Sequence, residues 1–120
     1  MDEILNYMRT PVTGIDGQST AQEGGKLMTD NKVSSLLVKD KGNFVGIVTQ
    51  ADMVREVVVK GLDPKTTSME SIMSHPVITM DHYMTRRDAN DLMREKKIKH
   101  LAITREGQIV GIVTLKDMVG

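Results

Sequence analysis

Residues 44–54 read FVGIVTQADMV, and residues 109–119 read IVGIVTLKDMV. Each copy begins with a short apolar run rich in β-branched residues, which favours a strand covered on both faces. Each copy then reaches a threonine that an aspartate follows three residues later, a spacing typical of a helix start. The two pairs are Thr49 with Asp52 and Thr114 with Asp117. The sequence therefore predicts, twice, a strand that runs directly into a helix.

The start of each predicted helix is a candidate anion site. The first N–H groups of a helix have no partner within the helix, and the helix dipole places positive charge at the same end. We therefore expect free backbone amides just after Thr49 and Thr114, at positions that suit an anion.

The composition limits the classes of function. The chain has 120 residues, 16 basic and 16 acidic side chains and no cysteine, which fits one compact domain without disulfides or thiolate metal sites. Zero net charge gives no global field that attracts nucleic acid or an anionic membrane. No apolar run approaches the roughly 20 residues of a membrane span. We expect a cytoplasmic protein that has neither a membrane nor nucleic acid as its partner.

The two copies belong to a longer repeat with the constant offset of 65 that separates Thr49 from Thr114. Pro11-Val12 corresponds to Pro76-Val77, Leu27-Met28 to Leu92-Met93, and Gly42 to Gly107. We divide the chain into a first repeat at residues 1–60, a linker at 61–66 and a second repeat at 67–120. One repeat is too small to build a sufficient core alone, so the two are expected to pack together as a single module.

Several helix boundaries can be predicted from local signals. Residues 1–8 are a short helix candidate, and Ser19 or Thr20 can cap the next helix, which is predicted to end near Asn31. The helix after Thr49 carries four apolar residues at spacings that suit one face, namely Met53, Val54, Val57 and Val58. Its counterpart in the second repeat has one turn before Gly120, which leaves apolar surface for another chain to cover.

Together these features resemble the CBS domain, named for cystathionine β-synthase, in the tandem pair called a Bateman module. The resemblance rests on two copies of Pro-Val, a helix with Leu-Met, a strand, a glycine turn and Val-Gly-Ile-Val-Thr-x-x-Asp-Met-Val, and it covers essentially the whole chain. It implies an α/β (α+β) fold with a three-stranded mixed sheet and two main helices per repeat, related by a pseudo-twofold axis. It also implies that AMP, ADP, ATP or S-adenosylmethionine binds in clefts between the repeats, and that two modules form a homodimer.

The Thr–Asp pairs have two compatible interpretations. A helix cap alone explains them, since the threonine accepts a backbone N–H and the aspartate occupies the third helical position. The resemblance implies in addition that Asp52 and Asp117 accept hydrogen bonds from ribose hydroxyls, with Thr49 and Thr114 close to a phosphate.

The resemblance implies further ligand contacts around each pair. Polar side chains enter the second strand of each repeat, Ser34 and Ser35 in the first and Lys99 and His100 in the second, although solvated loop residues would look the same. The second cleft is therefore expected to prefer more phosphate charge, with a pH dependence near the usual histidine pKa of about 6.5. The adenine is expected beside Arg9 and Gly14 in the first repeat and Ser74 and Thr79 in the second, with each cleft drawing on both repeats. Its apolar walls would be Val33, Ile47, Ile98 and Ile112, which plain core packing explains equally well.

The sequence offers no arrangement for catalysis or for a metal. It has no serine–histidine–aspartate pattern, no paired catalytic carboxylates and no glycine-rich phosphate loop. His75 and His82 are expected at the surface, and the three histidines have no metal-ligand spacing. We therefore expect a non-catalytic regulatory module that requires no cofactor and senses adenosine compounds. A ligand-free scaffold for dimerisation or for docking a regulated protein is the alternative, and an enzyme acting on adenosine compounds ranks last.

Overall fold

The structure is a computed structural model and describes residues 2–119. The chain forms two compact units. The central unit contains Thr13–Val77, and the terminal unit combines the N-terminal segment up to Val12 with the chain from Ile78 onward. Neither unit coincides with one sequence repeat, because the segment before the first strand of each repeat belongs to the other repeat's sheet. Met1, at which the first predicted helix begins, and Gly120, at which the last predicted helix ends, lie outside the described residues.

The central unit is built on a three-stranded sheet of β1 (Gly14–Asp16), β2 (Ser35–Asp40) and β3 (Asn43–Thr49) in that order. β1 is parallel to β2, and β2 is antiparallel to β3. Lys41 and Gly42 form the tip of the β2–β3 hairpin with φ angles of 51° and 81°. Two successive left-handed residues are what a two-residue hairpin loop needs if it is to follow the strand twist.

The helix α1 (Ala21–Asn31) begins at a reciprocal capping box. Thr20 Oγ1 accepts a hydrogen bond from the Glu23 amide at 3.1 Å, and the Thr20 amide donates to Glu23 Oε1 at 2.9 Å. The cap is therefore Thr20 rather than Ser19, and the predicted end at Asn31 is confirmed.

The helix after β3 begins as α2 (Gln50–Met53) and continues as a π-helical turn over Val54–Val58. Val57 is 5% exposed, whereas Val54 is 55% and Val58 71% exposed. The prediction that all these residues share one buried face is wrong. Successive residues of a helix are rotated by about 100°, so Val54 and Val58 form a second stripe beside the buried one.

The core of the central unit includes residues from the second repeat. The short helix α3 (Met69–Ile72) contributes Met69 and Ile72, which are 0% and 5% exposed and belong to the same apolar cluster as Leu36 and Val48. The segment after α3 then pairs with β3, where the amide and carbonyl of Ser74 exchange hydrogen bonds of 2.9 and 3.0 Å with those of Ile47.

The terminal unit repeats this architecture with bounds shifted by the same offset. Its sheet contains β4 (Thr79–Asp81), β5 (His100–Arg105) and β6 (Gln108–Thr114), and α4 (Arg86–Lys96) packs beside it. β4 is parallel to β5, and β5 is antiparallel to β6. A 3₁₀ turn, Lys116–Met118, comes after β6.

The N-terminal segment completes the terminal unit. A 3₁₀ turn at Ile4–Tyr7 stands where residues 1–8 were predicted to be helical, and Ile4 is fully buried in the cluster that contains Met93 and Leu101. Arg9 then exchanges backbone hydrogen bonds of 2.8 and 3.2 Å with Ile112 on β6. Both units thus have mixed α+β structure with a three-stranded mixed sheet, as predicted. Over residues 2–119, no helix has the length and apolar character needed to cross a membrane.

Candidate functional site

The Thr–Asp pair of the central unit forms a closed capping box at the end of β3. The Thr49 amide donates to Asp52 Oδ2 at 2.8 Å, and the Asp52 amide donates to Thr49 Oγ1 at 3.2 Å. Asp52 is 3% exposed, so its carboxylate is fixed in a mostly desolvated position. The predicted cap is confirmed here.

The pair of the terminal unit has the same reciprocal bonds. The Thr114 amide donates to Asp117 Oδ2 at 3.2 Å, and the Asp117 amide donates to Thr114 Oγ1 at 3.1 Å. The Asp117 side chain is 14% exposed. This aspartate lies on a 3₁₀ turn rather than on the predicted α-helix, but the Thr–Asp geometry is the same.

The backbone amides expected to bind an anion are mostly occupied. The first amide after each threonine donates to the loop before the second strand, from Gln50 to the Ser34 carbonyl at 3.0 Å and from Leu115 to the Lys99 carbonyl at 2.9 Å. The third amide, that of the aspartate, donates to the threonine hydroxyl. The prediction of free amides is therefore wrong at two of the first three positions in each unit, and an anion here needs side-chain donors.

An arginine lies on each carboxylate. In the terminal unit, Arg9 Nη2 donates to Asp117 Oδ1 at 2.8 Å, and Arg9 Nε lies 3.2 Å from both carboxylate oxygens. In the central unit, Arg55 Nη2 donates to Asp52 Oδ1, and Arg55 Nε donates to Glu56 at 3.2 Å. The two arginine side chains are 55% and 60% exposed. Arg55 was not predicted, although its position three residues after Asp52 is one at which helical side chains meet.

Opposing influences set the ionisation of Asp117. Burial is the largest and raises the pKa of Asp117, but hydrogen bonds from Arg9 and Thr114, with the charge of Arg9, outweigh it and hold that pKa below its usual value. The hydrogen bond and charge of Asp117 in turn raise the pKa of Arg9. The pair is therefore ionised at neutral pH.

The predicted polar neighbours lie beside the Thr–Asp pairs. In the sheet register, Ser35 is opposite Thr49, and His100 is opposite Thr114. Ser35 is 8% exposed and His100 is half-buried. The structure thus brings the strand-entry residues of each repeat to the threonine of the same repeat.

The residues expected around the adenine are divided between the two units in a way that does not follow the repeats. Arg9 lies in the terminal unit, as does Thr79, which pairs with Ala102 in β5. Ser74 lies in the central unit with Gly14, whose partner in β2 is Leu37. Each unit therefore combines residues from both repeats, because the segments before β1 and β4 are exchanged, and a role for these four residues in adenine binding stays a prediction.

Core packing accounts for much of the proposed apolar wall. Val33 and Ile98 pack against the buried clusters of their units, and Ile112 is 8% exposed. Ile47 is half-buried beside Ser74. A role for these four residues in adenine binding stays a prediction.

The histidines outside this region differ from each other. His75 is exposed, as predicted. His82 is half-buried, and its ring packs edge-to-face on Tyr83 with 5.8 Å between the ring centroids. The constant offset of the repeat makes His82 the counterpart of Gly17. Its Nδ1 is buried and has no hydrogen-bond partner among residues 2–119. Within that same range, no group of three His, Cys, Asp or Glu side chains could hold a metal ion.

A groove of about 380 Å³ lies elsewhere on the terminal unit. Leu115 and Met118 line it, whereas Thr114 and Asp117 do not. Its other lining residues are Asp2, Thr85, Arg86, Arg87, Asn90 and Val119. In this groove, Arg86 forms an ion pair with Asp2, with 3.0 Å between Nε and Oδ2, and its Nη1 donates a hydrogen bond to the Met118 carbonyl at 3.2 Å.

Comparison with known proteins gives consistent matches. The family profile described as CBS domain matches residues 2–59 and 69–120. The CBS domain-containing protein YhcV of Bacillus subtilis is 30% identical over 118 residues, which cover 98% of this chain and 84% of that protein. An uncharacterized protein of Methanopyrus kandleri is 33% identical over 112 residues, 92% of this chain, and the match spans only 57% of that relative's length.

Solved structures show the same fold. An uncharacterized conserved protein from Pyrococcus horikoshii superposes with a TM-score of 0.90 at 38% identity, over 98% of this chain and 89% of that one. The hexameric CBS-CP12 protein from bloom-forming cyanobacteria superposes with a TM-score of 0.91 at 26% identity, over 98% of this chain and 69% of that one.

Proposed function

The chain belongs to the CBS domain family, and from that premise we propose that it is a regulatory module that binds an adenosine compound at Asp52 and Asp117. Pairs of CBS domains are typically regulatory rather than catalytic. The proposed ligands are AMP, ADP, ATP or S-adenosylmethionine, held with the ribose on the carboxylates. A partner protein would respond to the population of module conformations that the bound ligand favours.

The observation that carries this proposal is how each carboxylate divides its two oxygens. Oδ2 accepts the threonine amide and fixes the side chain at the strand end, in both units. Oδ1 accepts an exposed arginine in both units, and in the terminal unit Arg9 Nε also reaches Oδ2 at 3.2 Å. One oxygen thus anchors the aspartate, and the other has a solvent-accessible partner that a ligand hydroxyl can replace.

The neighbours of the two pairs support unequal sites. Each unit has one arginine on its aspartate, but at the strand entry the terminal unit adds the basic groups Lys99 and His100, whereas the central unit has Ser34 and Ser35. Since phosphate is bound best by charged donors, we propose that the site at Asp117 prefers the ligand with more phosphate charge.

A thermal-shift series with AMP, ADP, ATP, S-adenosylmethionine and NADH tests the proposal. Ligand at 100 times its dissociation constant adds about 2.7 kcal/mol to the free energy of unfolding. For a chain of this size, the melting temperature is then expected to rise by roughly 10 °C. A flat series across all five compounds contradicts adenosine binding, and turnover of any compound contradicts a purely regulatory role.

Two variants assign the sites. Asp52→Ala and Asp117→Ala should each remove part of the ligand-induced shift, measured against the variant's own ligand-free melting temperature. Lys26→Ala is the matched control, because Lys26 forms only an exposed ion pair with Asp30 at 3.4 Å among the described residues. If both aspartate variants bind as tightly as the wild type, the ribose assignment is wrong.

A second candidate function, a scaffold for self-association, is favoured by an exposed apolar patch. Val54, Val58, Val59 and Leu62 are between 45% and 74% exposed. Contiguous exposed apolar surface commonly marks an interface. We propose a homodimer through this patch, and sedimentation should show a dimer that Val58→Lys dissociates. A monomeric wild type contradicts the scaffold.

We also propose a cytoplasmic location, where adenosine nucleotides are available. Cell fractionation tests this proposal.

A further inference from the structure

Each carboxylate assigned to the ribose already has an arginine as its partner. Arg9 forms a two-pronged contact with Asp117, and Arg55 donates to Asp52. A carboxylate oxygen accepts about two hydrogen bonds. Arg9 Nε and Nη2 both donate to Asp117 Oδ1, so a ribose hydroxyl can take up that oxygen only if the guanidinium moves away, whereas Asp52 Oδ1 accepts a single bond from Arg55 and the competition there is partial. Ligand binding and these ion pairs are therefore in competition.

The two arginines have the freedom to move. More than half of each side chain is exposed, whereas the carboxylates are only 14% and 5% exposed. The backbone of Arg9 is fixed by its two hydrogen bonds to Ile112, so its side chain can swing without disturbing β6. The carboxylate is the fixed member of each pair, and the guanidinium is the mobile one.

We propose that these arginines act as latches that make the module prefer phosphorylated adenosine compounds over the uncharged nucleoside, an inference that rests on the proposed function. A nucleotide replaces both halves of the broken ion pair, because its ribose hydroxyls satisfy the carboxylate and its phosphate takes up the guanidinium. Guanidinium groups bind phosphate through two parallel hydrogen bonds. A nucleoside satisfies the carboxylate alone and leaves the arginine with water.

The latch is stronger in the terminal unit. Among residues 2–119, Arg9 forms an ion pair with Asp117 alone, so a nucleoside that displaces it leaves the guanidinium without an ionic partner. Arg55 also contacts Glu56 at 3.2 Å and keeps that partner after it leaves Asp52. Arg9 therefore determines the preference for phosphate more than Arg55 does.

Calorimetric titration of the full chain with adenosine and with AMP tests the latch. Arg9→Gln is expected to raise the affinity for adenosine, because the competitor of the ribose is gone, and to lower the affinity for AMP, because a phosphate donor is gone. Losing one charge-assisted hydrogen bond corresponds to about a tenfold change, so the ratio of AMP to adenosine affinity should fall by at least about tenfold. Arg55→Gln should change that ratio less.

Two controls separate the latch from a general effect. Arg105→Gln removes the same charge from an exposed strand end and should leave the ratio unchanged. Arg9→Lys keeps the charge but not the fork and should give an intermediate ratio. A ligand-free melting temperature within about 3 °C of that of the wild type verifies that each variant folds.

The possible outcomes are distinguishable. A ratio that falls as described supports the latch. If the wild type binds AMP but Arg9→Gln changes both affinities by the same factor, or changes neither, the latch is wrong and the proposed function stands. If the wild type binds neither compound, the proposed function is wrong, and the latch, which rests on it, is wrong as well.

Discussion

The central and terminal units solve the same electrostatic problem with arginines from different places. Asp52 pairs with Arg55, three residues away on the same helix, whereas Asp117 pairs with Arg9, which is 108 residues away in the chain. The repeat does not copy either arginine, since the counterpart of Arg9 is Ser74. A mostly buried carboxylate is costly unless it is paired. The Thr–Asp motif is therefore preserved through its charge balance rather than through a fixed partner.

The units agree more closely in how the exchanged segments pack. In the central unit, a Cβ on Gly46 would meet Met73 and, at 2.9 Å, the Ser74 carbonyl oxygen. In the terminal unit, the three atoms nearest to a Cβ on Gly111 would be Sδ, Cγ and Cβ of Met8, at 2.6, 2.9 and 3.1 Å. The glycine in each Val-Gly-Ile-Val stretch thus leaves room for the segment that precedes the first strand of the other repeat.

The largest predicted effect tests this packing. Gly46→Ala should lower the free energy of unfolding by about 2–3 kcal/mol, because the backbone of Ser74 cannot yield as a flexible side chain does. Gly111→Ala should cost about 1–2 kcal/mol, because a change of rotamer moves Sδ and Cγ of Met8 away, and the fixed Met8 Cβ at 3.1 Å is a milder contact than the Ser74 carbonyl oxygen at 2.9 Å. Urea unfolding measures both. Gly25→Ala is the control, since nothing lies within 4 Å of a Cβ there, and it should be neutral or stabilising. Equal losses at Gly46 and Gly111 would contradict the difference between the units.

The next effect concerns the carboxylates. Asp52→Ala should cost about 2 kcal/mol and Asp117→Ala about 1 kcal/mol, because both lose a helix-start cap but Asp52 is the more buried. Chemical unfolding at neutral pH measures the two losses. The reverse order would mean that the long-range pair with Arg9 contributes more than burial does.

Much of the fold could be predicted because the motif is local. Thr49 and Asp52 are three residues apart, so the capping box can be inferred from the sequence alone, and the constant offset transfers it to Thr114. The α1 cap at Thr20 is predicted by the same signal.

The exchange of segments could not be predicted from the same data. Met8 and Met73 occupy equivalent positions, so either could pack on Gly46 or on Gly111, and the sequence does not distinguish the two arrangements. The pairing of Arg9 with Asp117 was therefore not predicted. Arg55 was missed because it lies beyond the repeated motif. The exposure of Val54 and Val58 could not be predicted because it depends on which face of the helix packs against the core.

A double-mutant cycle sharpens the contrast between the arginines. The interaction energy of Arg9 with Asp117 is expected to be about 0.5–1 kcal/mol, because the contact is two-pronged and its carboxylate is partly buried. The interaction of Arg55 with Asp52 is expected to be about 0.3–0.5 kcal/mol, which is typical of a neighbouring pair on one helix. Each cycle uses alanine at one and both positions and compares free energies of unfolding. A coupling near zero for Arg9 would mean that the contact does not tie the N-terminal segment to the terminal unit.

The smallest predicted effect is a pH dependence of the terminal pair. The pKa of Asp117 is lower in the folded chain than usual, so its stabilising contribution is complete above the unfolded value of about 3.9 and is lost as the pH falls through the folded value. In Arg9→Gln, burial still raises the pKa of Asp117 while one of the opposing influences is gone, so the NMR-titrated pKa should move upward. The stability difference between wild type and Arg9→Gln should then be largest near neutral pH, at about 0.5 kcal/mol, and shrink below about pH 4. Arg105→Gln should leave the titration of Asp117 in place. If the pKa of Asp117 does not change in Arg9→Gln, then the hydrogen bonds from Thr114 alone keep the carboxylate ionised. Arg9 would then not be needed to balance the charge of Asp117, and the similarity to the Asp52–Arg55 pair would be one of geometry only.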